Sequence, residues 1–141
     1  MTLVERLRRR RLRKKRLAVV RRAREESLNG EPSWRNLCQK FVRTMCGAPG
    51  GAASAKIAWQ SYPDHQTRGP GNRRPPMGVP VYFRLDTPYW HAAISAGKGY
   101  IWSTDITRWG RVDKVSIDYL ERRWNAEYLG WATHSNGVRL W

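Results

Sequence analysis

Between Ser33 and Cys46 apolar side chains recur at Trp34, Leu37, Cys38, Phe41, Val42 and Met45. These are positions i, i+3, i+4, i+7, i+8 and i+11, the spacing of a helix with one buried face. Two residues can cap it, Ser33 and Asn36. With Asn36 as the cap, the Cys38 thiol falls in the first turn, where unpaired amides and the helix dipole favour a thiolate. The stripe by itself makes Cys38 a packing residue, since free cysteine is among the most buried residue types.

The layer that covers this stripe is legible further on. Residues 2–28 read as one helix ended by Asn29-Gly30-Glu31-Pro32, and Ser54 to Tyr62 as a short one. Residues 63–76, PDHQTRGPGNRRPP, read as an exposed loop of the kind that often edges a binding site. Beyond it the period changes from helical to alternating. Val79 to Arg84, Trp90 to Ser95 and Tyr100 to Asp105 read as strands, with a hairpin turn at Ala96-Gly97-Lys98-Gly99. A short strand at 112–115, a helix at 117–124, a strand at 128–133 and a turn at Asn136-Gly137 complete the pattern. Helices first and an antiparallel sheet afterwards specify an α+β fold.

Charge divides the chain differently. The formal net charge is +16, and residues 1–29 carry twelve Lys or Arg against three Glu. That opening helix has sparse apolar positions, so it is expected to project or to lie on an acidic surface, fraying from its own repulsion. Such a block invites an anionic partner: a nucleic acid, a membrane surface or another anionic polymer such as that of a cell wall. The domain organisation that follows is a basic helical extension, residues 1–30, and a globular domain, residues 31–141. The longest apolar run in the first segment, Leu17 to Val20, is too short for a signal peptide, and no stretch is long enough to span a membrane. The chain therefore reads as made in the cytoplasm. Cys38 and Cys46 lie about 12 Å apart along one helix, beyond disulfide reach, and are expected to be thiols. Two cysteines and three scattered histidines give no zinc pattern and imply no metal.

A cysteine nucleophile needs a base, and the base a group that holds its tautomer. His91 begins a strand expected to be central, whereas His65 lies in the loop and His134 beside a turn. In Tyr100 to Asp105, parity puts Ser103 and Asp105 on one face. Either can serve as the third group, with Asp105 the carboxylate.

The segments NLCQKFVR at 36–43, GVPVYF at 78–83, WHAAIS at 90–95 and GYIWSTDI at 99–106 occur in an order that resembles the papain-like NlpC and CHAP superfamily. They are similar in particular to peptidoglycan hydrolase domains of actinobacterial phages. The resemblance covers residues 33–141 and leaves the basic helix aside. It implies a papain-like fold, Cys38 as nucleophile, His91 as base, and Asp105 ahead of Ser103 as third member. It also implies cleavage of an amide bond in cell-wall peptide through a thioester, without a cofactor, at the bacterial cell wall. The backbone N–H of Cys38 would serve the oxyanion, with the Trp34 indole as second donor. Trp90 and Pro80 depart from the usual residues, and Trp90 would wall the cleft or stack on sugar; Ser103, if not the third member, falls with Trp34 and Trp90 among the substrate-binding positions. The alternative is a basic nucleic-acid-binding or structural phage protein on a non-catalytic papain-like scaffold. Trp59, Trp102, Trp109, Trp124 and Trp131 are expected to fill the core, Cys46 to be inert, and Arg73 and Arg74 to be solvated.

Overall fold

The computed structural model describes residues 1–141. Helix α1 spans Leu3–Asn29 and opens with a reciprocal cap, Thr2 accepting from the Glu5 amide while the Glu5 carboxylate accepts from the Thr2 amide. Helices α2 (Cys38–Met45) and α3 (Ala55–Ser61) follow, and Ser54 caps α3 by accepting from the Ile57 amide. The sheet begins with a two-residue strand, β1 (Thr67–Arg68), and continues through β2 (Pro80–Arg84), β3 (His91–Gly97), β4 (Tyr100–Thr104) and β5 (Val112–Ser116). Helix α4 (Ile117–Trp124) then leads to β6 (Glu127–Ala132), and a small hairpin, β7 (His134–Ser135) and β8 (Val138–Arg139), closes the chain.

Strands β2 to β5 form a meander of antiparallel neighbours, and β6 joins its far side to give the order β1-β6-β2-β3-β4-β5. Strand β3 is therefore interior, and its first residue, His91, stands opposite Phe83. The β3–β4 turn is built on Lys98 and Gly99, both at positive φ (57° and 82°), which matches the twist of the paired strands. Phe41, Val42 and Met45 of α2 enter the core with Tyr82, Phe83, Ile94, Ile101 and Tyr128. The α+β expectation thus holds in architecture, with helices against an antiparallel sheet. No helix is long and apolar enough to cross a membrane.

Three local expectations are corrected. The loop at 63–76 contains a 3-10 turn (Asp64–Gln66) and strand β1, which pairs with Trp131 and Ala132. A two-residue edge strand carries too little periodicity to be seen in sequence. Helix α2 starts five residues later than Ser33, and neither Ser33 nor Asn36 caps it; Leu37 occupies the cap position without a side-chain bond. Trp34, left outside the helix, still meets Phe41 edge-on at 5.5 Å.

The third correction concerns α1. Residues 1–11 are exposed, but Leu12, Val19 and Ala23 form a thin buried stripe against the globular part. Its arginines bind carbonyl oxygens rather than carboxylates: Arg16 donates to Leu140 O at 2.6 Å and Arg22 to Met45 O at 2.7 Å. Contact is close because Gly78, at φ +91°, has no side chain; a Cβ there would stand 2.6 Å from Arg16 O. The C-terminal part of α1 is thus docked, and only its N-terminal third projects. Burying the Val19 side chain alone is worth roughly 1.5–3 kcal/mol.

Candidate active site

Helix α2 points its first residue, Cys38, into a cleft of about 1030 Å³. His91 of β3, Trp90, Trp109, Trp124 and Asp105 contribute to the same wall. The rim comes from residues 50–55 and 85–90, not from the loop at 63–76, so the expected rim is corrected. Arg73 of that loop is engaged by Asp118 and Glu121 on α4 rather than left to solvent or substrate.

The start of α2 is held by the end of β4. Asn36 adopts a left-handed conformation (φ 57°), and its amide donates to Asp105 Oδ2 at 2.9 Å. The other carboxylate oxygen accepts from the Gly110 amide at 2.6 Å. Asp105 itself has left the strand at φ 64°, so strand parity no longer governs its direction. Its carboxylate therefore ties the loop ahead of Cys38 to the Trp109-Gly110 turn instead of meeting His91.

Ser103 takes that place. It is fully buried, and its Oγ lies 2.9 Å from His91 Nε2. Ser103 Oγ donates its one proton to Thr104 O at 3.1 Å, so toward the ring it acts as acceptor. Nε2 then carries the hydrogen and Nδ1 is the nitrogen with a free lone pair. The ring is fixed on its other sides by Trp124, edge-on at 4.8 Å, and by Phe83 at 6.3 Å. Burial pushes the His91 pKa down to about 3, so the imidazole is neutral at physiological pH.

The thiol is also neutral. Burial raises the Cys38 pKa, and the Asp105 carboxylate adds to the rise; the amides of Ala92, Gln39 and Cys38 itself oppose it without winning. The expectation that the helix N-terminus makes a thiolate is therefore corrected: desolvation outweighs the dipole. Cys46 is deeply buried and pushed up to about 12, mainly by desolvation, as befits a core thiol, and both cysteines are free.

Of the remaining candidates, Trp34 is turned away from the cleft, its indole N–H donating to Glu26 Oε2 at 3.1 Å. That bond removes it as an oxyanion donor. Trp90 does line the cleft, at φ 58°, between the Lys56 ammonium at 5.4 Å and the Arg84 guanidinium at 5.5 Å. Trp102 and Trp131 fill the core as expected. Trp109 does not: it is 56% exposed on the cleft rim, with the Arg35 guanidinium 4.8 Å from its ring centre. Trp109 and Trp124 are the cleft residues that sequence reasoning missed, for periodicity does not distinguish a tryptophan that faces a cleft from one that fills a core. No three His, Cys, Asp or Glu side chains converge as metal ligands would.

Comparison of the chain with protein-family models and with curated proteins finds no match.

Proposed function

We infer that the protein is a cysteine hydrolase that cleaves an amide bond in peptidoglycan peptide, with Cys38 as nucleophile and His91 as base. One observation carries the reading: Cys38 at the first position of α2 and His91 at the first position of β3 open on one cleft, with the His91 tautomer set by Ser103. The choice of cell-wall peptide rests on the sequence resemblance, and the exposed indole of Trp109 on the rim gives a face suited to a glycan ring.

Both groups begin neutral, so the reaction is general-base catalysed. His91 Nδ1 takes the thiol proton as Cys38 Sγ attacks the scissile carbonyl carbon. No side chain caps α2, so its first-turn amides are not claimed by a cap and can donate to the tetrahedral oxyanion. The imidazolium returns the proton to the departing amine as the C–N bond breaks, leaving a thioester on Cys38. Water, deprotonated by the same nitrogen, then attacks the thioester and releases the carboxylate product and the thiol. Ser103 accepts from Nε2 throughout and steadies the ring while it is charged.

The test is release of soluble fragments from purified peptidoglycan by the full chain. Cys38→Ala and His91→Gln should each abolish release while the circular dichroism spectrum stays unchanged. Undiminished release by a folded Cys38→Ala protein would overturn the mechanism. No release by the unmutated protein from any peptidoglycan type would overturn the substrate.

A further inference from the structure

We propose that the protein carries a second site, a nucleic-acid-binding groove between the exposed face of α1 and the edge formed by β1, β8 and Trp141. It is separate from the cleft, with which it shares no lining residue.

The groove is a tertiary product. On α1, Arg9, Arg13 and Arg16 recur at i, i+4 and i+7 and so share one face. Opposite them stand Arg68 from β1 and Arg139 from β8, which belong to different sheets and are distant in sequence. None of these five forms an ion pair; the salt bridges of the protein use Arg73, Arg84 and Arg108. The one acidic side chain on the wall, Glu5, is bonded to the Thr2 amide in the helix cap. Arg16, Arg68 and Arg139 donate to backbone oxygens, of Leu140, of His65 and Thr67, and of Trp141 respectively. A concave surface whose cations have no acidic side chain paired with them collects polyanions.

Arginine and tryptophan select among polyanions. The cations named are all arginine, whose planar fork matches a phosphate oxygen pair better than the point charge of lysine. Trp141 is 45% exposed among them, with the Arg16 guanidinium 4.7 Å from its ring and Trp131 edge-on behind it at 6.0 Å. That is a braced indole beside phosphate-binding groups, the combination that holds unpaired bases while the backbone is neutralised. An anionic bilayer fits less well, because the exposed part of α1 carries arginine round its circumference and has no continuous apolar face to insert. A glycerol-phosphate polymer offers charge but nothing to stack.

Fluorescence anisotropy on the full chain tests the groove, with a labelled single-stranded oligonucleotide titrated at several salt concentrations. Glycerol-phosphate polymer and phosphatidylglycerol vesicles serve as competitors. Binding should be salt-dependent, and Arg9→Gln/Arg13→Gln and Arg68→Gln/Arg139→Gln should each reduce the salt slope by about 1.4 for the two single-strand contacts removed. Lys14→Gln/Lys15→Gln, an equal loss of charge outside the groove, should change it less. Trp141→Ala should weaken binding about tenfold and Trp141→Phe should keep it. Equal losses in all three double variants would show diffuse attraction only and overturn the groove. Competition by the polymer or the vesicles at matched phosphate concentration, or indifference to Trp141→Ala, would overturn the nucleic-acid assignment. Cys38→Ala should bind as the unmutated chain does, so failure of the hydrolase reading leaves this result intact.

Discussion

Ser103 Oγ accepts from His91 Nε2 across 2.9 Å while donating to Thr104 O, and so fixes which ring nitrogen keeps a free lone pair. Removing the hydroxyl leaves a buried N–H without a partner and frees the ring to change tautomer. Ser103→Ala should lower kcat about 10- to 100-fold with KM little changed, as expected for a positioning group lost from acid–base catalysis. Ser103→Thr should restore part of the loss. Steady-state kinetics on a soluble peptidoglycan peptide gives the split between kcat and KM.

Asp105 gives the opposite expectation from the one its strand position suggests. Its charge raises the Cys38 thiol pKa, and it bonds the Asn36 and Gly110 amides rather than His91. Asp105→Asn should therefore lower the thiol pKa. The ultraviolet thiolate band, followed against pH with Cys38→Ser as blank, reports it. An unchanged titration would mean that the carboxylate does not act on the sulfur.

The two thiols should separate in alkylation. Cys38 is half-buried in the cleft wall, whereas Cys46 is 4% exposed and pushed up to about 12. Iodoacetamide should modify Cys38 first, slowly at neutral pH and faster as the solution is made alkaline, because the thiolate is the reacting form. Peptide mapping by mass spectrometry assigns the label. Equal labelling of both cysteines in the folded protein would contradict the burial described.

Stability should rise with pH through the acidic range. His91 binds a proton near its ordinary value of about 6.5 when unfolded but only near 3 when folded. Between these values the unfolded state holds more protons, so the stability present above the unfolded pKa is lost as pH falls toward the folded one. The slope has an upper limit of about 1.4 kcal/mol per pH unit for one proton. Urea denaturation at several pH values should show a shallower slope for His91→Gln. His134, whose pKa is also lowered by burial and by Arg139, adds a smaller contribution of the same sign that the variant retains.

Docking of α1 depends on Gly78. A Cβ at φ +91° and 2.6 Å from Arg16 O forces either the β2 entrance or the helix to move. Gly78→Ala should cost about 3 kcal/mol or more, a size typical of strain combined with a backbone clash. Trypsin should then cut among the arginines of residues 12–24 sooner, and a shift in the urea midpoint gives the magnitude.

The sequence by itself determined the elements whose periods are long or whose turns are chemically marked. The α2 stripe from Cys38 to Met45, the β2–β5 meander with its Lys98-Gly99 turn, the α4 helix and the partnership of helices with an antiparallel sheet all follow from local spacing. The interior place of β3, and so of His91, follows from hairpin order. Tertiary structure decided what depends on direction and on desolvation. Parity placed Ser103 and Asp105 on one face, but the left-handed turn at Asp105 sent its carboxylate to the Asn36 and Gly110 amides and left His91 to Ser103. The dipole favours a thiolate at Cys38, but burial, which no local pattern reports, keeps it protonated. The docking of α1 was illegible for a similar reason: three apolar residues give a faint stripe, and their burial depends on a glycine about sixty residues away along the chain.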